Sequence, residues 1–414
     1  MLSYDTFAIN IASVMIGYVY SPGHMTTANQ DLGLKVATPI GTLVGQLYFG
    51  WLADVVGRKR MCMSFQHTQL YTTLHYTTLY YTPLLPTLTS FSLIDGVELV
   101  IIIVGTFGQA LSGPAHGVNL FGVLIVWRFI MGVGIGGDCP LSAIISSEIA
   151  PTHIRGRLMT TVCALQGWGN FAAALVALIT TFAFKSAILA DDPAVLAHVD
   201  NMWRILIGLG CIPGALALYF RLTIPETPRF TMDIERNVSQ ASDDVENFLT
   251  TGNFSADRNA VVQRVDAPKA SFSDFSEYFS QWKNLKILIG CSWSWFALNT
   301  AVYGLGLNSS IVLTAIGFNG SSASGTTKVF ETLKNIGIGN LILAAAGLIP
   351  GYWAALRFID IWGRKPIQLM GFVMLTMLFV TLGFAYDKLV ATTETRNAFV
   401  FLYCLANFFQ NFGT

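Results

Sequence analysis

One carboxylate, Asp138, interrupts an apolar run that extends from Leu120 to Ile149. The surrounding stretch, 126–157, reads VWRFIMGVGIGGDCPLSAIISSEIAPTHIRGR. A charge deep in a membrane span costs about 3 kcal/mol or more, so an intramembrane aspartate points first to ion or proton handling. The bland alternative is a structural polar pair inside a helix bundle. Four glycines precede it (Gly132, Gly134, Gly136 and Gly137), and small residues of this kind let a second helix approach closely.

A second constellation lies at Trp295, Asn299 and Tyr303. Their spacing of four residues puts an indole, an amide and a phenol on one helix face. Inside a membrane span such a stripe is a hydrogen-bonding wall for a substrate, whereas near a span end it would be an aromatic belt. A third signal occurs twice. DVVGRK at 54–59 and DIWGRK at 360–365 each follow an apolar span. The repeat of Asp54, Gly57 and Arg58 as Asp360, Gly363 and Arg364 suggests two related halves. It reads either as a gating contact between helices or as a basic turn that only sets topology.

These residues must be positioned by membrane helices. The 414 residues are 53% hydrophobic and only 12% charged, a composition that marks a polytopic α-helical chain. Formal net charge is zero, so nothing points to nucleic acid. The six cysteines are scattered without CxxC spacing, which gives neither a disulfide framework nor a metal site. No P-loop or nucleophile elbow appears, and we expect no cofactor and no enzyme. Spans are expected near 5–20, 38–53, 97–110, 120–149, 158–184, 203–222, 285–307, 336–356 and 367–386, with a tenth starting at 398. The first is read as a membrane helix rather than a cleaved signal, because no basic region precedes it.

The expected organisation is a six-helix bundle over 1–222, a cytosolic linker over 223–283 and an incomplete second bundle over 284–414. About nine and a half of twelve helices are then present. Basic residues after several spans place the N-terminus and the central linker in the cytosol, and the segment 185–200, with Asp191, Asp192 and Asp200, is expected as an outside loop. The run 62–95, rich in Thr, Tyr and Leu, reads as an atypical insertion: too polar to span and too apolar for a solvated loop. It is expected to be a translated intron or a lineage-specific interfacial segment.

The strings GQLYFGWLADVVGRKR, the long 126–157 stretch, QGWGN, IPETPRFT, WFALNTAVYG and ANFFQNFG together resemble the phosphate:proton symporter family of the major facilitator superfamily, in particular its fungal high-affinity members. The resemblance implies that Gln166, Trp295 and Tyr303 touch inorganic phosphate. It also implies that Asp5 and Asp138 serve the proton path, with Glu98 a further candidate. Two further substrate-facing positions depart from the family pattern. Cys139 stands where the family usually has tyrosine, and Asn299 where it has aspartate. An amide is shaped like a permanently protonated aspartate, so Asn299 is expected to keep anion affinity and weaken proton-coupled release.

The function implied is proton-coupled uptake of inorganic phosphate by alternating access in the plasma membrane, with phosphate, protons and the lipid bilayer as partners. The alternatives are transport of a glycerophosphodiester or a sugar, or a non-transporting sensor or inactive fragment. A bundle lacking its final helices is expected not to transport.

Overall fold

The computed structural model describes residues 2–21, 26–56, 97–114, 119–149, 155–190, 195–223, 272–317 and 325–413. Among the described residues the chain is helical and holds no strand. The first set of helices comprises α1 (Leu2–Tyr20), α2 (Ala28–Val56), α3 (Val97–Leu111), α4 (Leu120–Ile149), α5 (Arg155–Ala183), α6 (Lys185–Leu189), α7 (Val195–Gly208) and α8 (Cys211–Thr223). The second set comprises α9 (Phe272–Ser280), α10 (Trp282–Gly306), α11 (Ser309–Ala315), α12 (Gly325–Ile342), α13 (Ile349–Trp362), α14 (Arg364–Phe384), α15 (Tyr386–Val390) and α16 (Thr393–Phe412).

Among the described residues six stretches are long and apolar enough to cross a membrane: Leu120–Pro140, Arg155–Ala183, Val195–Tyr219, Trp282–Gly306, Gly325–Trp362 and Arg364–Phe384. The protein is a multi-pass integral membrane protein. Helices α1, α2 and α16, of 19, 29 and 20 residues, also reach spanning length, and α3 is apolar but shorter.

Several helices begin earlier than hydropathy indicates. α2 starts at Ala28 rather than near residue 38, because Lys35 and Asp31 pair at 2.6 Å one turn apart. Pairing lowers the cost of enclosing both charges. The sixth span likewise starts at Val195, so Asp200 sits in a helix and not in the expected loop. There it accepts hydrogen bonds from Tyr20 Oη (2.7 Å), Trp203 Nε1 (2.8 Å) and Arg204 Nε (2.8 Å). Within the expected linker, α9 is an exposed helix bearing Phe272, Phe275 and Tyr278. The expected insertion at 62–95, Gly57 and Arg58 lie outside the described residues, and so does the side chain of Asp54.

Glycines set the tightest helix contact. A Cβ at Gly41 or Gly45 would strike the backbone of Phe129 or Val133, and one at Gly132 or Gly136 would strike that of Thr38 or Thr42. The α2 and α4 backbones therefore touch along a seam. Gly50, further along α2, has nothing within 4 Å and takes no part.

The main apolar core joins both sets. Phe7, Met15, Ile16, Trp203 and Leu206 pack in one cluster with Leu307, Phe330 and Ile336. Helix α5 is the main bridge and runs against α12 and α13: Leu178 meets Gly337, Gly167 meets Tyr352 and Ile349, and Gly156 meets Asp360. Between α12 and α13 the helix widens into a π turn, Leu343–Leu348. Pro350 follows at once. Proline cannot donate a backbone hydrogen bond and its ring crowds the carbonyl four residues back, so the wider turn accommodates it.

Candidate functional site

At mid-height of α5 a small, partly open chamber lies between the two helix sets. Its polar lining consists of Gln166 and Asn170 from α5, Tyr352 from α13, and Asn407, Gln410 and Asn411 from α16. Phe7, Val302 and Leu348 form apolar walls, and no charged side chain lines it among the described residues. Amides and a phenol supply both donors and acceptors without a fixed charge. Such a lining can offer a polar solute hydrogen bonds in both directions.

Local structure aims these groups. The Tyr352 hydroxyl donates to Gln166 Oε1 at 3.1 Å across the two sets. Asn407 Nδ2 donates to the Tyr403 carbonyl (2.9 Å) and Asn411 Nδ2 to the Asn407 carbonyl (3.0 Å), each one turn back along α16. Gly347 and Gly351 bring the π turn and α13 against these asparagines: Cβ atoms there would lie 2.9 Å and 3.2 Å from the Cβ atoms of Asn407 and Asn411.

Of the substrate-facing residues expected from sequence, Gln166 lines the chamber. Tyr303 is half-buried against the main core and lies within electrostatic reach of Cys139, which is exposed. Trp295 is 59% exposed and does not line the chamber. Asn299 also lies outside it and donates to the Trp295 carbonyl at 2.9 Å. The same helix contributes Val302 and Gly306 instead.

The three expected proton carriers are buried in the first helix set, away from the chamber lining. Asp5 faces the break between α7 and α8 at Gly210, and its two oxygens accept no hydrogen bond among the described residues. Glu98 of α3 packs against α4 at Gly134 and Gly137: a Cβ at Gly137 would sit 3.2 Å from Glu98 Cβ.

Sequence reading missed Arg128. It is 1% exposed, donates from Nε to the Leu34 carbonyl (2.6 Å) and from Nη1 to Gln109 Oε1 (3.4 Å), and lies within electrostatic range of Asp5. An arginine in the middle of α4 was itself a signal. The chamber residues Tyr352, Asn407, Gln410 and Asn411 were missed as well. The i, i+4 spacing of Asn407 and Asn411 was available as a clue.

At the Arg155 end of α5, Arg157 Nε lies 2.6 Å from Asp360 Oδ2. Gly156 packs there against Asp360 and Arg364. Gly363 adopts φ +83° between α13 and α14, a left-handed conformation that glycine accepts without strain. The second copy of the repeated motif thus pairs with α5 through Arg157.

Helical rods from two sets, bridged by α5 around a neutral polar chamber, define a class: a secondary transporter of the major facilitator type. The structure is similar to the xylose transporter XylE from E. coli in a partially occluded inward-open conformation, with a TM-score of 0.58 and 19% identity over 99% of this chain and 82% of that one. A crystal structure of a D-xylose–proton symporter matches equally well, with a TM-score of 0.58 and 21% identity over 99% of this chain and 77% of the other. These likenesses establish the fold.

Residues 96–414 match the family model described as sugar (and other) transporter, and the chain belongs to that family. It is 42% identical to the repressible high-affinity phosphate permease of Neurospora crassa over 99% of this chain and 68% of that protein. It is also 42% identical to the inorganic phosphate transporter PHO84 of Saccharomyces cerevisiae, over 99% of this chain and 66% of that protein. The chain thus spans about two thirds of the length of these relatives.

Proposed function

We propose that this protein is a transporter, not an enzyme, and that it moves inorganic phosphate with protons by alternating access of its two helix sets about the chamber. The observation that carries the reading is the neutral amide and phenol lining contributed by both sets, in a chain whose relatives are phosphate permeases by name. Dihydrogen phosphate both donates and accepts hydrogen bonds, and such a lining answers both needs without trapping the anion.

In this reading residues 1–222 form one bundle, 223–283 a cytosolic linker and 284–414 part of a second bundle. Gln166 contacts phosphate in the chamber. Trp295, Asn299, Tyr303 and Cys139 contribute along the access route. Asp5, Asp138 and Glu98 carry the proton, and burial of all three supports that role. Asp360, Gly363 and Arg364, with Asp54, Gly57 and Arg58, gate the cytosolic side. The N-terminus faces the cytosol, as basic residues after the spans indicate, and the membrane is the plasma membrane.

The test is uptake of radiolabelled phosphate into proteoliposomes with an imposed pH gradient. Saturable uptake that collapses with the gradient, resists excess hexose and resists glycerophosphodiester is the expected result. Competition by hexose would remove the phosphate reading, and no gradient-driven uptake would favour the non-transporting sensor or inactive fragment instead.

A further inference from the structure

The chamber's amides are not free to present either end. Tyr352 donates to Gln166 Oε1. That contact occupies the carbonyl end of the Gln166 amide and turns its Nε2 donors away from the tyrosine. On the opposite wall, Asn407 and Asn411 each spend an Nδ2 hydrogen on a backbone carbonyl of their own helix. No hydrogen bond engages either Oδ1 among the described residues. Both side chains are buried and line the chamber, so their oxygens are acceptors offered to whatever fills it.

We infer that Tyr352, Asn407 and Asn411 give the chamber a fixed hydrogen-bond polarity, a donor wall at Gln166 and an acceptor wall on α16, and that this polarity selects a tetrahedral oxyanion carrying its own O–H. The inference rests on the phosphate reading and deepens it. A protonated phosphate accepts from Gln166 Nε2 with a bare oxygen and donates its O–H to an asparagine oxygen. Sulfate has nearly the same size and shape but no proton to donate near neutral pH. It would press an unprotonated oxygen against an acceptor and leave that acceptor unpaired, which a buried site penalises strongly. Tyr352 acts here as a positioning residue: it fixes the Gln166 amide that donates to the substrate's bare oxygen.

The experiment is equilibrium binding of radiolabelled inorganic phosphate to the full chain in lipid nanodiscs, with unlabelled phosphate or sulfate as competitor. Sulfate should compete at least about 100-fold more weakly than phosphate. Tyr352→Phe should weaken phosphate binding about tenfold, the equivalent of one hydrogen bond. In a Gln166→Ala background the same change should add less than about twofold, because the group it positions is gone. The paired change of Asn407→Ala and Asn411→Ala should narrow the phosphate–sulfate gap about tenfold by weakening phosphate alone.

Sulfate that competes as well as phosphate overturns the inference in the unaltered protein, with no variant needed. So does a Tyr352→Phe protein that binds normally, or one whose loss persists undiminished without Gln166. If the unaltered protein binds no phosphate, the substrate reading falls and takes the inference with it. Normal phosphate binding with an indifferent Tyr352 removes the inference alone.

Discussion

Arg157 Nε and Asp360 Oδ2 lie 2.6 Å apart and tie α5 to the end of α13. The arginine side chain is 52% exposed and the aspartate 28%, so the pair is screened and contributes about 1 kcal/mol at most. That is enough to shift a balanced conformational equilibrium several-fold. We predict that Asp360→Asn raises the rate of maleimide labelling at Cys163, an exposed thiol on α5, about two- to fivefold. The charge-swapped pair Arg157→Asp with Asp360→Arg should return it toward the original rate. Mass spectrometry of the Cys163 peptide reads the result. Equal rates in all three proteins would mean the pair closes nothing.

The glycine seam makes a sharper prediction about stability. A methyl group at Gly136 meets the Thr42 carbonyl and the Gln46 nitrogen, both backbone atoms that cannot swing aside. Gly136→Ala should therefore cost about 1–3 kcal/mol, the usual range for overpacking. Gly50→Ala, where the space is open, should stay within about 0.5 kcal/mol of the parent. Thermal unfolding in detergent, followed by tryptophan emission, separates the two. Similar midpoints would contradict the seam.

Arg128 and Asp5 are both enclosed in the first helix set. Removing one charge leaves the other buried without compensation, which costs about 3–5 kcal/mol. Arg128→Met alone should be severely destabilising. Adding Asp5→Asn should recover a large part of the loss, giving a coupling of at least about 1 kcal/mol in a double-mutant cycle. Additive effects would show that the two charges do not support each other.

Asp200 gathers three donors at the Ala183 end of α5: Tyr20 from α1, and Trp203 and Arg204 from its own helix. Arg204 Nη1 also donates to the Ala110 carbonyl of α3 (3.0 Å). One carboxylate thus ties three helices. Asp200→Ala strands several donors at once and should destabilise by about 2–4 kcal/mol, since each charged hydrogen bond is worth about 1.5–3 kcal/mol. Asp200→Asn keeps two of the contacts and should lose less. Comparison of their melting midpoints checks the ordering.

The membrane class, the positions of most spans and the repeated D-x-x-G-R-K signal were legible in the sequence. Each depends on local composition or on a short pattern, and burial in lipid rewards the same apolar run wherever its neighbours lie. Gln166 was legible for a related reason, because its QGWGN string carries a family resemblance. The early starts of α2 and α7 were not. They depend on Lys35 meeting Asp31 and on Asp200 meeting Tyr20, and hydropathy counts such charges as breaks rather than as partners.

The chamber itself belongs to the tertiary structure. Its lining comes from α1, α5, α10, α13 and α16, and no spacing along one helix announces that convergence. The stripe of Trp295, Asn299 and Tyr303 is regular in sequence, yet Trp295 turns outward while Val302 and Gly306 face the chamber. Periodicity sets which residues share a face but not what that face meets. The amino-acid sequence by itself determined that this is a multi-pass helical membrane protein with a repeated D-x-x-G-R-K motif and carboxylates inside its apolar spans. Only the packing of α5 against α12, α13 and α16 decided which amides meet, which end of each is already engaged, and that Arg157 is the partner of Asp360. Hydrogen-bond direction and ion pairing depend on atoms brought within about 3 Å of each other, and only the folded chain sets those distances.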